Sequence, residues 1–109
     1  MGQKSVKFRN ETCRTVSPSI WALIERDRKE VPPYQETSLI GDSCLYTISV
    51  LDEGKTKSLH GVYFPNIDWI VYYQDQKEIC HILTGKGGIP LDFENILQFY
   101  SFSDEDRHM

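Results

Sequence analysis

The chain has 109 residues, 39% hydrophobic, 12% aromatic and 26% charged, which is enough apolar material for one packed domain and too much for a disordered chain. Its 16 acids outnumber its 12 lysines and arginines for a formal net charge of −4, which argues against binding to nucleic-acid phosphates or to an anionic membrane surface. No apolar run approaches the roughly 20 residues of a spanning helix. The opening residues lack the apolar stretch of a secretion signal. Cys13, Cys44 and Cys80 are odd in number and far apart, the pattern of reduced thiols in a cytoplasmic or nuclear protein.

In chain order, Val6-Lys7-Phe8-Arg9-Asn10 alternates apolar and polar residues and reads as a strand. Asn10-Glu11-Thr12 has the form of a glycosylation sequon, a triplet short enough to arise by chance. Residues 17–29 admit two readings. A capping Ser17, Pro18 in first-turn position and strong helix formers favour a helix; a strand through 20–26 would set Trp21 and Leu23 on one face.

From Cys44 onward the pattern is strand and turn. Residues 45–50 are rich in β-branched and aromatic side chains and end at Asp52-Glu53-Gly54-Lys55, where glycine can take the positive φ of a tight hairpin. Further strands are expected over 58–64, 69–73 and 79–83. The third is apolar on both faces, as in a strand covered on both sides. Four strands joined by short turns predict an antiparallel meander. Asp92 then suits the cap of a short helix. Phe93, Ile96, Leu97 and Tyr100 form its apolar stripe, available to close the sheet or to dock a partner. Residues 103–109 are polar and are expected to fray. The chain reads as a single domain over 1–109: mainly β with a short C-terminal helix, or α+β if residues 18–29 are helical.

Catalytic chemistry has little foothold. Cys80 and His81 are neighbours on an expected strand and point to opposite faces. His60, His81 and His108 are too scattered for metal ligation. Thr84-Gly85-Lys86-Gly87-Gly88 lacks the spacing of a phosphate loop. No enzyme activity, cofactor or metal is expected. Aromatic residues are the stronger signal, because Tyr and Trp tolerate both contact and water at interfaces. Trp21 with Pro32-Pro33-Tyr34 is the best candidate for an exposed binding surface, and Trp69 for a core filler.

The segment Val6-x-Phe8-x-Asn10-x-Thr12-x-Arg14-Thr15-Val16, with Trp21 and Glu25-Arg26 after it, resembles the opening of the von Hippel–Lindau tumour suppressor β-domain family. The resemblance resumes at Pro33-Tyr34, at Ser38-x-x-Gly41-x-x-Cys44-Leu45-Tyr46 and at Val62-Tyr63-Phe64-Pro65, and spans about residues 6–66. It implies a transthyretin-like (prealbumin-like) antiparallel β-sandwich with Trp21 on a strand. It also implies a substrate-receptor module of a ubiquitin ligase that holds a prolyl-hydroxylated peptide. Trp21, Tyr34 and Ser38 match three positions of that family's pocket. Asp42 and Cys44 stand where the family has His and a second Trp, so discrimination between hydroxyproline and proline is expected to be weak.

Two functions follow as expectations. One is a non-catalytic domain that binds a protein or peptide through Trp21, Tyr34, Ser38, Asp42 and Cys44. The other is an acidic inhibitor or immunity-type protein, whose acids near Glu25, Asp27, Glu30 and Glu36 would cover a basic partner.

Overall fold

The computed structural model describes residues 2–89. Eight strands form two sheets packed face to face. The strands are β1 (Lys4–Glu11), β2 (Ser17–Ala22), β3 (Ile24–Arg28), β4 (Glu36–Gly41), β5 (Leu45–Asp52), β6 (Lys55–Tyr63), β7 (Trp69–Gln74) and β8 (Cys80–Gly85). The first sheet runs β4-β1-β7-β8 and the second β3-β2-β5-β6. This is the β-sandwich expected from the sequence.

Period-2 alternation builds the core. Val6 and Phe8 of β1, Ile20 of β2, Leu39 of β4 and Ile48 and Val50 of β5 are fully buried in one cluster with Tyr46, Phe64, Ile70 and Tyr72. Tyr46 meets Phe64 edge-on, with ring centroids 4.8 Å apart, a favoured aromatic geometry. The apolar residues on the opposite side of β7 and β8, Trp69, Val71, Tyr73 and Leu83, form a second cluster with Ile89. The two-sided apolar pattern of this segment is thereby accounted for, and Trp69 is buried as expected.

Two expectations are corrected. The four strands after Cys44 do not form one meander. β5 and β6 pair antiparallel in the second sheet and β7 and β8 in the first, while β7 pairs in parallel with β1, Phe8 opposite Ile70. The crossover is the short 3-10 helix Phe64–Asn66, which carries the chain between layers. The first sheet is therefore mixed, while the second is wholly antiparallel. Of the two readings of residues 18–29 the strand holds, since the segment forms the β2–β3 hairpin. Ile20 is fully buried and Ala22 packs on the main cluster, and burying that alternate set outweighs weak local helix propensity. The helix expected over 92–100 and the tail 103–109 lie outside the described residues.

The hairpin read from Asp52-Glu53-Gly54-Lys55 is present. Asp52 pairs with Lys55, and Glu53 and Gly54 both take positive φ, 50° and 78°, as a two-residue type I′ turn requires.

The strand directions give the sandwich two distinct ends. One gathers the β1–β2 loop, the β3–β4 loop and the β5–β6 and β7–β8 turns. The other holds the β2–β3 hairpin tip, the β4–β5 loop and the 3-10 helix.

Candidate functional site

At the first end a polar network ties the sheets together. Arg14, from the β1–β2 loop, grips Asp52 at the end of β5 with two hydrogen bonds, Nε to Oδ1 at 2.9 Å and Nη2 to Oδ2 at 2.8 Å. Its Nη1 donates to Gln74 Oε1 at 2.9 Å, and Tyr72 Oη donates to Asp52 Oδ2 at 2.8 Å. The Cys80 thiol lies 3.7 Å from Arg14 Nη2 and 3.9 Å from Asp52 Oδ2. Hydrogen bonding from Arg14 holds the Asp52 carboxyl below its ordinary pKa despite burial, with help from Tyr72. Burial, then hydrogen bonding with Cys80 and Asp52, pushes the Tyr72 phenol up.

Beside it, Asn10 is fully buried. Its Nδ2 donates to the carbonyls of Arg14, Val31 and Pro32, and its Oδ1 accepts from the Thr12 amide and hydroxyl. The sequon asparagine therefore has no free amide to offer a glycosyl group. These groups satisfy one another and leave nothing directed at a ligand.

The other end is the reverse. β2 and β3 join at Leu23 alone, between the Ala22–Ile24 pair. Leu23 holds φ at 69° and is fully exposed. A left-handed backbone costs a non-glycine residue on the order of 1 kcal/mol, and no burial offsets it here. Ile24 beside it is 61% exposed and Trp21 is 38% exposed. β2 pairs Trp21 with Thr47 of β5. Two residues back toward the same end, Leu45 faces Tyr63 of β6 across the sheet, and both are exposed. Trp21, Leu45 and Tyr63 thus give the outer face of this end an apolar surface with Leu23 at its tip, while Ile24, paired with the inward Ala22, is exposed on the opposite side.

Polar rows continue along the same outer face. Trp21 Nε1 donates to Ser19 Oγ at 2.9 Å, Thr47 Oγ1 meets His60 Nδ1 at 3.1 Å, and Ser49 Oγ meets Ser58 Oγ at 2.9 Å. A shallow pocket of about 140 Å³ opens among Ser19, Trp21, Arg28, Ser49, Leu51 and Thr56.

The three residues matched by resemblance, Trp21, Tyr34 and Ser38, and the two at departing positions, Asp42 and Cys44, do not share one surface. Trp21 lies on the outer face of the second sheet. Ser38 pairs with Lys7, one residue out of step with the buried Leu39, and so sits on the outer face of the first. Tyr34 is exposed in the β3–β4 loop, at φ 57°, toward the polar end. Only Asp42 and Cys44 meet, where the Cys44 amide donates to the Asp42 carbonyl at 2.9 Å, and Cys44 packs against the core. A one-residue step along a strand reverses its face: Ile20 holds the inward position and Trp21 the outward one.

The acids expected to form a negative face are largely matched by cations. Glu25 pairs with Arg28 at 2.6 Å, Asp27 with Lys29 at 3.3 Å and Glu36 with Arg9 at 3.0 Å. Asp27 also accepts from the Ile40 amide at 2.8 Å, holding the β3 edge to β4. Phe93, Ile96, Leu97 and Tyr100, the expected docking stripe, lie outside the described residues.

Cys80 and His81 part as the strand alternation requires. Cys80 packs on the main core, while His81 stacks on Tyr73 with centroids 5.1 Å apart and bonds Asp75 at 2.8 Å. Although burial opposes it, hydrogen bonding from His81, Ile79 and Lys77 holds the Asp75 carboxyl low. Among the described residues no three His, Cys, Asp or Glu side chains gather as metal ligands, and no helix is long and apolar enough to cross a membrane.

Sequence reasoning named Trp21 but missed Leu23 as a site. The available signal was Trp21-Ala22-Leu23-Ile24: a strand with one covered face buries only alternate residues, so part of that apolar run had to face water. No family model, curated protein or solved structure matches this chain.

Proposed function

We propose that this domain is a non-catalytic protein-binding module whose docking surface is the apolar outer face at one end of the second sheet, Trp21, Leu45 and Tyr63, with Leu23 at its tip. The observation that carries the reading is Leu23: a fully exposed aliphatic side chain held on left-handed backbone. Strained backbone at an exposed apolar tip costs stability and contributes nothing to the core, which is the economy of a binding site. Trp21 and Tyr63 supply the aromatic anchors that interfaces favour. The resemblance of residues 6–66 to the von Hippel–Lindau β-domain supports the same class of role, a receptor that presents a bound protein to a ubiquitin ligase. The pocket residues do not, since Trp21 and Ser38 lie on opposite faces.

The test is a comparison of baits. Wild-type domain, Leu23→Asp and Leu45→Asp are immobilised after circular dichroism shows equal folding, and proteins retained from the native lysate are compared. A protein held by the wild type and lost from both variants is the expected result. Identical retention by all three baits would discard the surface.

A further inference from the structure

We propose that the free edge of β6 takes up an extended acidic segment of a partner protein as a fifth strand of the second sheet. The inference rests on the reading of this domain as a protein binder, but on different residues. β6 is the longest strand among the described residues, at 9 residues, and lies at the end of the order β3-β2-β5-β6. It pairs with β5 on one side, and among the described residues no strand lies along the other. An edge of this kind leaves alternate backbone N–H and C=O groups unpaired. Lys55 through Ser58 and His60 are all exposed, so the backbone between them is open to approach.

Charge selects the occupant. In a chain with net charge −4, β6 contains no acid and carries Lys55 and Lys57, two residues apart and so on the same side of the strand. Neither lysine has an ion pair among the described residues, whereas Lys4, Lys7, Arg9, Arg14, Arg28 and Lys29 each have one. Like charges placed opposite one another repel across a strand pair and unlike charges attract. Edge lysines therefore resist pairing of β6 with a second copy of itself, and they complement a strand with acids at alternate positions. The other side of β6 offers Thr56, Ser58 and His60, which continue the hydroxyl rows of β5.

The edge also has a built end. Gly61 sits at φ 71°, and the β5–β6 register is interrupted between Tyr46 and Ile48. A bulge of this kind bends the strand and its outer edge, so the regular stretch of that edge runs from Lys55 to His60.

Fluorescence anisotropy with three synthetic peptides tests the proposal. The first alternates Glu and Val, the second alternates Lys and Val, and the third is the Glu/Val peptide N-methylated at every residue, so that neither of its edges can donate. The expected result is that the domain binds Glu/Val about tenfold or more tighter than Lys/Val. Lys55→Glu/Lys57→Glu should reverse that order, and the N-methylated peptide should fail to bind. Equal affinity for both charged peptides, undiminished binding of the N-methylated peptide, or no binding to any of them would overturn the proposal. Leu23→Asp should leave the Glu/Val affinity unchanged, so failure of the apolar docking surface and failure of the β6 edge are read separately.

Discussion

The two ends of the sandwich solve opposite problems. At the polar end, Arg14, Asp52, Tyr72 and Gln74 are brought from a loop and two sheets into one network, and the neighbouring Asn10 engages three carbonyls. At the apolar end, Leu23, Ile24 and Leu45 face water, and the hairpin turns on a residue poorly suited to its backbone. The first end uses polar side chains where apolar ones would pack; the second displays apolar side chains where polar ones would dissolve. The difference separates stability from function. Groups that satisfy one another inside the fold hold the layers, and the apolar groups exposed at its surface are those proposed to meet a partner.

The largest effect should come from breaking the polar end. Asp52→Ala leaves the Arg14 guanidinium and the Tyr72 hydroxyl without their shared acceptor. Removing one member of a buried charged pair costs about 3 kcal/mol or more, which urea unfolding would register. Arg14→Met and Asp52→Ala should be strongly non-additive, because both destroy the same contact. Acid should act in the same direction. The Asp52 carboxyl is held low in the fold, so protons favour the unfolded chain. Its contribution is fully present above the unfolded carboxylate value near pH ~4 and is lost as pH falls through the lowered folded value. Asp75 adds a loss of the same sign. The acid limb of the stability profile should therefore be shallower in Asp52→Ala than in the wild type.

A smaller loss is expected at Gly85, where β8 passes under the Trp69 ring. A Cβ added there would overlap the Trp69 ring, so the indole must move. Overpacking of this kind costs on the order of 2 kcal/mol. Gly85→Ala should lower the thermal midpoint without changing the acid limb, because the polar network is at the far end. A variant that lost both would show that the ends are coupled.

Much of this fold was legible because alternation is a local signal. The strand segments over 45–50 and 69–73 and the Glu53-Gly54 turn need only a few consecutive residues to be read. Partnering is different: the parallel pairing of β1 with β7 joins Phe8 to Ile70, and nothing near either residue encodes it. The Arg14–Asp52 contact was hidden for the same reason. At Trp21 the family resemblance pointed to strand, against local helix propensity. It did not fix the face, because one residue of register decides whether Ile20 or Trp21 points inward. Leu23 was least legible of all, since propensity predicts glycine or asparagine at positive φ. Sites kept for function are where such local rules are expected to fail.

That failure supplies the smallest and most discriminating prediction. Leu23→Gly removes the left-handed strain at the hairpin tip and one side chain that packs on nothing. Glycine adopts positive φ freely but gains entropy in the unfolded chain, so the two effects partly offset. The net expectation is a stabilisation of up to about 1 kcal/mol, visible as a higher urea midpoint at unchanged slope. Binding should move the other way, because the same change deletes the projecting apolar group from the docking surface. Affinity for the partner captured through this end should fall while the fold gains stability. Leu23→Asn separates the causes: asparagine also tolerates the left-handed region but places a polar group at the tip. It should match glycine in relieving strain and in losing the partner. If Leu23→Gly destabilised the domain, the leucine would be serving the fold, and the contrast between the two ends would not hold.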